Sequence, residues 1–287
     1  MLFNSINIIG YGYVGSAIGY LCEKNNIKFN VCDTLIKTGQ FNYFSNIYDL
    51  INNSEIKDNN NINYIFIAVP TPSDSDGNCD TSLVHSVIKQ IYEYQTKSTI
   101  IIIKSTLCPG TTLKLHNEFK NIDIIICPEF LTEKNYLNDI YNVKFILFGT
   151  KDFSMTKYQQ LLKLFRNLYS HNKMIDIISK SYVECELFKY TLNTFFATKI
   201  TFFNEIYQLC EAMDVDYQEL KTLFKLDNRI GDYGITVPGE DRKFSYNKKC
   251  LPKEIASMEQ LQKKLKLSSE LISIVKKRGN ELRNKNI

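Results

Sequence analysis

The chain has 287 residues, 35 lysines and arginines against 31 aspartates and glutamates, and a hydrophobic share of 44%. Such a length can bury a sizeable core and divide into two units, and no apolar run is long enough to span a bilayer. The small positive balance sits in Lys276 to Lys285 and in Lys243, Lys248 and Lys249; it lacks the basic face with interleaved aromatics that nucleic acid demands, so neither nucleic acid nor a membrane is an expected partner.

Eight cysteines, at positions 22, 32, 79, 108, 127, 185, 210 and 250, form no C-x-x-C pair and have no histidine cluster beside them. No metal site is expected. The amino terminus has no basic segment ahead of a cleavage-like apolar region, which with the cysteine pattern points to a reduced, cytoplasmic setting.

Residues Ile6 to Ile9 run into Gly10-Tyr-Gly12-Tyr13-Val14-Gly15 and then an apolar-periodic segment through Ala17, Ile18, Leu21 and Cys22. Strand, glycine turn and helix in that order form a cradle where backbone N–H groups at a helix start meet a pyrophosphate. A second strand, Lys28 to Cys32, ends at Asp33, an acidic residue at the distance that suits the ribose hydroxyls of NAD and repels the phosphate of NADP. Further buried strands are expected over Tyr64 to Val69, Thr99 to Ile103, Ile122 to Ile126 and Lys144 to Gly149, with helices from Thr81, capped by Asp80, and over Ser154 to Ser170. Strands alternating with helices predict a Rossmann-type doubly wound parallel sheet over residues 1–179. Thr71, Thr106, Glu129 and Glu133, each in a loop after a strand, should face its crevice.

Residues 180–287 read as an all-helical domain. Ser181-Tyr-Val-Glu184 is a capping box that opens a helix to about Met213 without Pro or Gly. On it Lys189 and Asn193, four apart, share a face; the plain reading of Lys189 is a solvent-exposed lysine paired with Glu186. Asp216 opens a shorter helix, Asp227 to Gly231 is a loop, and two more helices follow from about Pro252 to Leu265 and from Ser268 onward. Cys250 lies between Lys248-Lys249 and Pro252-Lys253-Glu254, a cationic setting that favours thiolate.

In order, GYGYVG, VPTPSDSDG, KSTLCPGTT, PEFLTE, ELFKYTLNTFFATKITFFNEI, DNRIG, VPG and CLPKE resemble the UDP-glucose/GDP-mannose dehydrogenase family, most nearly its UDP-glucose 6-dehydrogenase branch. The resemblance implies an NAD-dependent oxidoreductase that takes the C6 alcohol of a nucleotide sugar to a uronate through a thiohemiacetal and a thioester on Cys250. By it, Lys189 and Asn193 hold the oxygen that becomes anionic, Glu129 assists hydrolysis, and Thr106 and Glu254 orient water or move its proton. Gly10, Gly12, Tyr13, Val14, Gly15, Asp33, Thr71 and Thr106 contact NAD, and Glu133 lines the nicotinamide side. Arg229 matches an arginine that reaches the sugar nucleotide from a neighbouring subunit, and the helix near 181–213 implies a homodimer.

Three departures accompany the resemblance. It covers about the first two thirds of a typical member, so a third, nucleotide-sugar-binding domain is expected to be missing, with weaker substrate affinity and a wetter reacting centre. Ser245, Tyr246, Asn247, Lys248 and Lys249 stand where the family has a glycine-rich loop, which puts side chains where backbone would approach cofactor or sugar; Lys248 and Lys249 then become candidate ligands for the substrate diphosphate. Glu254 replaces an aspartate and carries its carboxylate one methylene further out. Two other outcomes stay open: decarboxylation of a UDP-uronate to UDP-xylose with return of the hydride, and binding of NAD or nucleotide sugar without catalysis.

Overall fold

A computed structural model describes residues 5–35, 41–53, 62–95, 98–246 and 250–285. These fall into two compact units, Met1–Thr71 with Asp80–Lys189, and Pro72–Cys79 with Tyr190–Ile287.

The first unit begins with β1 (Ser5–Ile9), α1 (Tyr13–Lys24), β2 (Phe29–Cys32), β3 (Asn42–Phe44), α2 (Ile47–Asn53) and β4 (Asn63–Ile67). It continues through α3 (Ser82–Tyr94), β5 (Thr99–Ile103), α4 (Thr111–Glu118), β6 (Asp123–Ile126), α5 (Tyr136–Tyr141), β7 (Phe145–Gly149), α6 (Met155–Leu168) and β8 (Asp176–Lys180). The eight strands form one sheet in the order β3-β2-β1-β4-β5-β6-β7-β8. Its reversal of direction between β1 and β4 is the doubly wound pattern expected. It is not parallel throughout: β6 and β7 meet antiparallel through Ile126 and Gly149.

Alternation along the strands sorts side chains onto two faces. Ile6, Ile8, Tyr64, Phe66, Ile100, Ile102 and Ile125 join one core with α1, α5 and α6, while Ile9, Ile65, Ile67, Ile101, Ile103, Ile124 and Ile126 join the other with α2, α3 and α4. Strands buried on both faces therefore read as continuous apolar runs. One row breaks that rule: Asn42, Asn30, Asn7 and Asn63, on β3, β2, β1 and β4, hydrogen-bond side chain to side chain. Asn42 Nδ2 donates to Asn30 at 3.0 Å, Asn30 Nδ2 to Asn7 at 2.8 Å and Asn7 Nδ2 to Asn63 at 2.5 Å.

Helix α7 (Tyr182–Ala212) carries the division between the units, at Lys189 and Tyr190 rather than at residues 179 and 180. Tyr182 and Cys185 are buried in the second sheet core, which ties the first turns of α7 to the sheet unit. The capping box forms as expected, with Ser181 N–H and Oγ both donating to Glu184 Oε2, at 2.9 and 2.6 Å.

The second unit holds the rest of α7, α8 (Tyr217–Leu226), α9 (Cys250–Lys264) and α10 (Glu270–Arg283). Asp216 caps α8 through Gln218 N–H at 2.7 Å. Two apolar clusters hold the unit, one around Ala197, Tyr246, Ile255, Ile272 and Val275, the other around Phe203, Cys210, Tyr217, Ile235 and Val237. Pro72–Cys79 belongs here because Gln260 Nε2 donates to Asp76 O and Lys264 Nζ to Asn78 Oδ1, both at 2.8 Å.

No helix among the described residues is long and apolar enough to cross a membrane.

Candidate functional site

The glycine turn divides its work among three positions. Gly10 has φ +87°, and a Cβ there would lie 2.7 Å from Ala68 O; a Cβ at Gly15 would lie 2.0 Å from Gly10 O. Both glycines are forced by the close approach of strand, turn and helix. Gly12, the N-cap of α1, has open space where a Cβ would stand. Backbone is therefore bare where the turn meets the helix N-terminus, the place a pyrophosphate occupies. Asp33 follows β2, and its carboxylate accepts Tyr11 N–H at 2.5 Å and Leu35 N–H at 2.8 Å. The turn and the acidic residue are thus one construction, and it fits a dinucleotide with free ribose hydroxyls. Tyr13 opens α1, exposed and edge-on to Tyr136 with ring centroids 5.4 Å apart, and Val14 is half-buried against the core.

Thr71, Thr106 and Glu129 follow β4, β5 and β6, three adjacent strands, at their carboxyl ends. Thr71 Oγ1 donates to Thr106 O at 2.9 Å. Glu133 is half-buried further along the loop after β6. Lys189 reaches this row from α7: its Nζ donates to Glu129 O at 2.7 Å and to Glu129 Oε1 at 3.1 Å. The two side chains are only 7% and 14% exposed.

The solvent-exposed reading of Lys189 is therefore wrong, and Glu186 is not its partner. Glu186 turns instead to Gly110 and Thr112. Burial alone would push the Glu129 carboxyl up, but the Lys189 ammonium, the Leu131 N–H and Lys104 outweigh it and hold the group below the ordinary carboxylate range. Lys104 escaped the sequence reading. Its Nζ lies 3.4 Å from Pro128 O and 3.5 Å from Cys127 Sγ; its place one strand end away from Glu129 was the available signal.

In the second unit the helix expected from Pro252 starts at Cys250. Pro252 fits within the first turn because that N–H has no intrahelical acceptor to lose. Cys250 is exposed and stands at the electropositive start of a 15-residue helix, a setting that favours thiolate. Glu254, one turn on and 1% exposed, accepts Asn193 Nδ2 at 2.6 Å. Its extra methylene, expected to carry the carboxylate outward, ends instead on Asn193.

Arg229 is exposed, its guanidinium forked onto Asp227. The loop behind it is held by Lys199 Nζ, which donates to Ile230 O at 2.5 Å and Gly231 O at 3.0 Å. Ser245 and Tyr246, expected to intrude where backbone would approach a ligand, are buried in the helical unit. Lys248 and Lys249, with Asn247, lie outside the described residues. Among the described residues no group of three or more His, Cys, Asp or Glu is gathered as metal ligands would be.

Sequence models for two domains of one family match the chain. That for the UDP-glucose/GDP-mannose dehydrogenase family, NAD binding domain, covers residues 46–171, and that for the family's central domain covers residues 183–281. Together they take in well over half of the chain. The putative UDP-glucose 6-dehydrogenase YtcA of Bacillus subtilis is 28% identical over 284 residues, covering 88% of this chain and 62% of that protein. The UDP-glucose 6-dehydrogenase of Rickettsia bellii is 30% identical over 234 residues, covering 80% and 51%. The chain thus spans only part of the length of these curated relatives. The solved structure of a UDP-glucose dehydrogenase from the hyperthermophilic archaeon Pyrobaculum islandicum shares the fold, with a TM-score of 0.79 at 21% identity over 97% of this chain and 68% of that one.

Proposed function

The chain belongs to the UDP-glucose/GDP-mannose dehydrogenase family, and from that premise we propose that it oxidises the C6 alcohol of a nucleotide sugar to the uronate, with UDP-glucose the first substrate to test. The observation that carries this reading is the buried pair of Lys189 and Glu129 at the strand ends. A lysine held in a nearly dry setting is a preorganised donor for an oxygen that gains negative charge, and a carboxylate held ionised beside it can take a proton from water.

Two molecules of NAD, held in turn at the glycine turn with the ribose on Asp33, would each accept one hydride from C6, with the accompanying proton passing to solvent. In this reading the side chains do the rest. After the first hydride is lost, Cys250 Sγ adds to the C6 aldehyde, and Lys189 with Asn193 steadies the oxygen of the thiohemiacetal. Loss of the second hydride leaves a thioester on Cys250. Water, oriented by Thr106 and losing its proton to Glu129 or Glu254, then releases the carboxylate and returns the thiol. Thr71 and Glu133 complete the cofactor contacts, and Lys248 and Lys249 serve the diphosphate.

The reading includes a homodimer. Phe195, Phe202 and Leu209, seven apart on α7, are 57%, 54% and 54% exposed, one apolar row on a single helix face that a partner could cover. Arg229 would then be offered to the neighbour's substrate.

Purified protein given UDP-glucose and NAD should form NADH and UDP-glucuronate, and the Cys250→Ser variant should form no UDP-glucuronate and at most the NADH of the first oxidation. Absence of NADH from every hexose nucleotide tried would sink the proposal. Carbon dioxide released from UDP-glucuronate without net NADH would select the decarboxylase, and binding of NAD without turnover the non-catalytic reading.

A further inference from the structure

Glu186 is a buried carboxylate that the proposed reaction leaves without a task. It lies on α7 one turn before Lys189 and is 2% exposed. Its Oε2 accepts Gly110 N–H at 2.6 Å, and its Oε1 accepts Thr112 N–H at 2.8 Å and Thr112 Oγ1 at 2.6 Å. Burial pushes this carboxyl up, and the three donors work against the push.

Gly110 is the N-cap of α4 and has no side chain to close the first turn. Glu186 closes it from a helix far along the sequence, and in doing so joins two segments. One is the loop after β5, which carries Lys104 and Thr106. The other is α7, which carries Lys189. A helix is stiff over one turn, so the rotation and rise fixed at Glu186 are passed to Lys189, whose Nζ meets Glu129 O and Oε1.

We propose that Glu186 is a positioning residue, whose three hydrogen bonds to Gly110 and Thr112 set the register of α7 that brings Lys189 onto Glu129. The catalytic consequence rests on the reaction proposed above; the register itself does not. The competing account is a helix cap that stabilises α4 and nothing more.

Glu186→Gln separates the two. Its amide oxygen can accept from Thr112, but its NH2 then faces Gly110 N–H, donor against donor. Glu129 is faced by Lys189 from α7, by Lys104 from the loop after β5 and by Leu131 N–H from its own loop. If α7 slips, the Lys189 contact loosens, and the Glu129 carboxyl must titrate at higher pH. Carbon-13 NMR of Glu-labelled protein, with Glu129→Gln to assign the signal, should show that upward shift in E186Q. An unchanged Glu129 titration beside a lowered Tm would overturn the proposal in favour of the cap. Should E186Q fail to fold, Thr112→Val removes one bond alone and should shift Glu129 upward by less; no shift there overturns the proposal equally. These readouts need no turnover and stand whatever substrate assays show. Where the unaltered protein turns over, E186Q should lower kcat by roughly tenfold or more with KM for NAD within about twofold, and an unchanged kcat would count against the register.

Discussion

The two units finish their business differently. The sheet unit buries its apolar residues in two cores, closes a row of four asparagines across its strands, and pairs Lys189 with Glu129 almost out of reach of water. The helical unit holds smaller clusters and leaves Phe195, Phe202 and Leu209 of α7, with Leu223 and Leu226 of α8, more than half exposed. Its Cys250 thiol is exposed as well. The proposed homodimer would draw on this surface. The contrast teaches that the first unit closes its apolar and polar groups internally, whereas the second leaves apolar side chains and a thiol at its surface.

The sharpest way to break this comparison is at Cys250. If the exposed thiol is the nucleophile, Cys250→Ser should cut UDP-glucuronate formation by more than about a thousandfold while leaving NAD binding intact. Isothermal titration with NAD beside the turnover assay reads both, and retained turnover would move the chemistry out of the helical unit altogether.

Next in size is the apolar row on α7. Phe202→Glu puts a charge where two helices would meet, and should weaken self-association by at least about a hundredfold, or roughly 2.7 kcal/mol. Sedimentation velocity across a dilution series measures it. A variant that associates as the unaltered chain does would remove Phe202 from any interface, and the comparison would need another partner for the exposed face.

Much of the sheet unit was legible because its strands are short and apolar on both faces, so Thr99–Ile103 stands out at sight. What escaped had physical causes. The strand Asn42–Phe44 and the helix Ile47–Asn53 are short and polar enough to pass for loop, and Tyr136–Tyr141 is less than two turns. Lys189 was misread because Glu186 lies on the same helix face, and only the fold reveals that Glu186 accepts three hydrogen bonds from Gly110 and Thr112. Cys250 was placed ahead of its helix because Pro252 looked like the first helical residue. The asparagine row was invisible for a deeper reason: each asparagine reads as an interruption of its own strand, and their complementarity exists only in the register that brings four strands together.

That row supplies the third test. Asn7 donates to Asn63 and accepts from Asn30 while fully buried. Asn7→Leu keeps the branching of the side chain, with bulkier methyls, but leaves an amide oxygen on one side and an amide N–H on the other without partners, a loss of about 3 kcal/mol. Urea unfolding should show the midpoint fall. A change below about 1 kcal/mol would mean the sheet unit is less dependent on internal polar closure than the contrast claims.

The smallest effect probes the helical unit on its own terms. Glu259 of α9, its side chain 6% exposed, accepts Lys263 Nζ and Ser273 Oγ at 2.8 and 2.7 Å and pairs with Lys276 of α10. Burial would raise its carboxyl, but these three partners prevail and bring it from 4.5 down to about 2. A carboxyl held lower in the folded than in the unfolded chain contributes stability that is complete above the unfolded value and is lost as pH falls through the folded one. Glu259→Gln should therefore cost stability at neutral pH and flatten the decline between pH 4.5 and about 2. Lys263 is half-exposed and Lys276 a third exposed, which screens the pair and limits the cost to on the order of 1 kcal/mol. If acid unfolding is unchanged in the variant, the α9–α10 pairing rests on Ile255, Ile272 and Val275 alone, and the second unit depends on apolar contact inside as it does on its outer face.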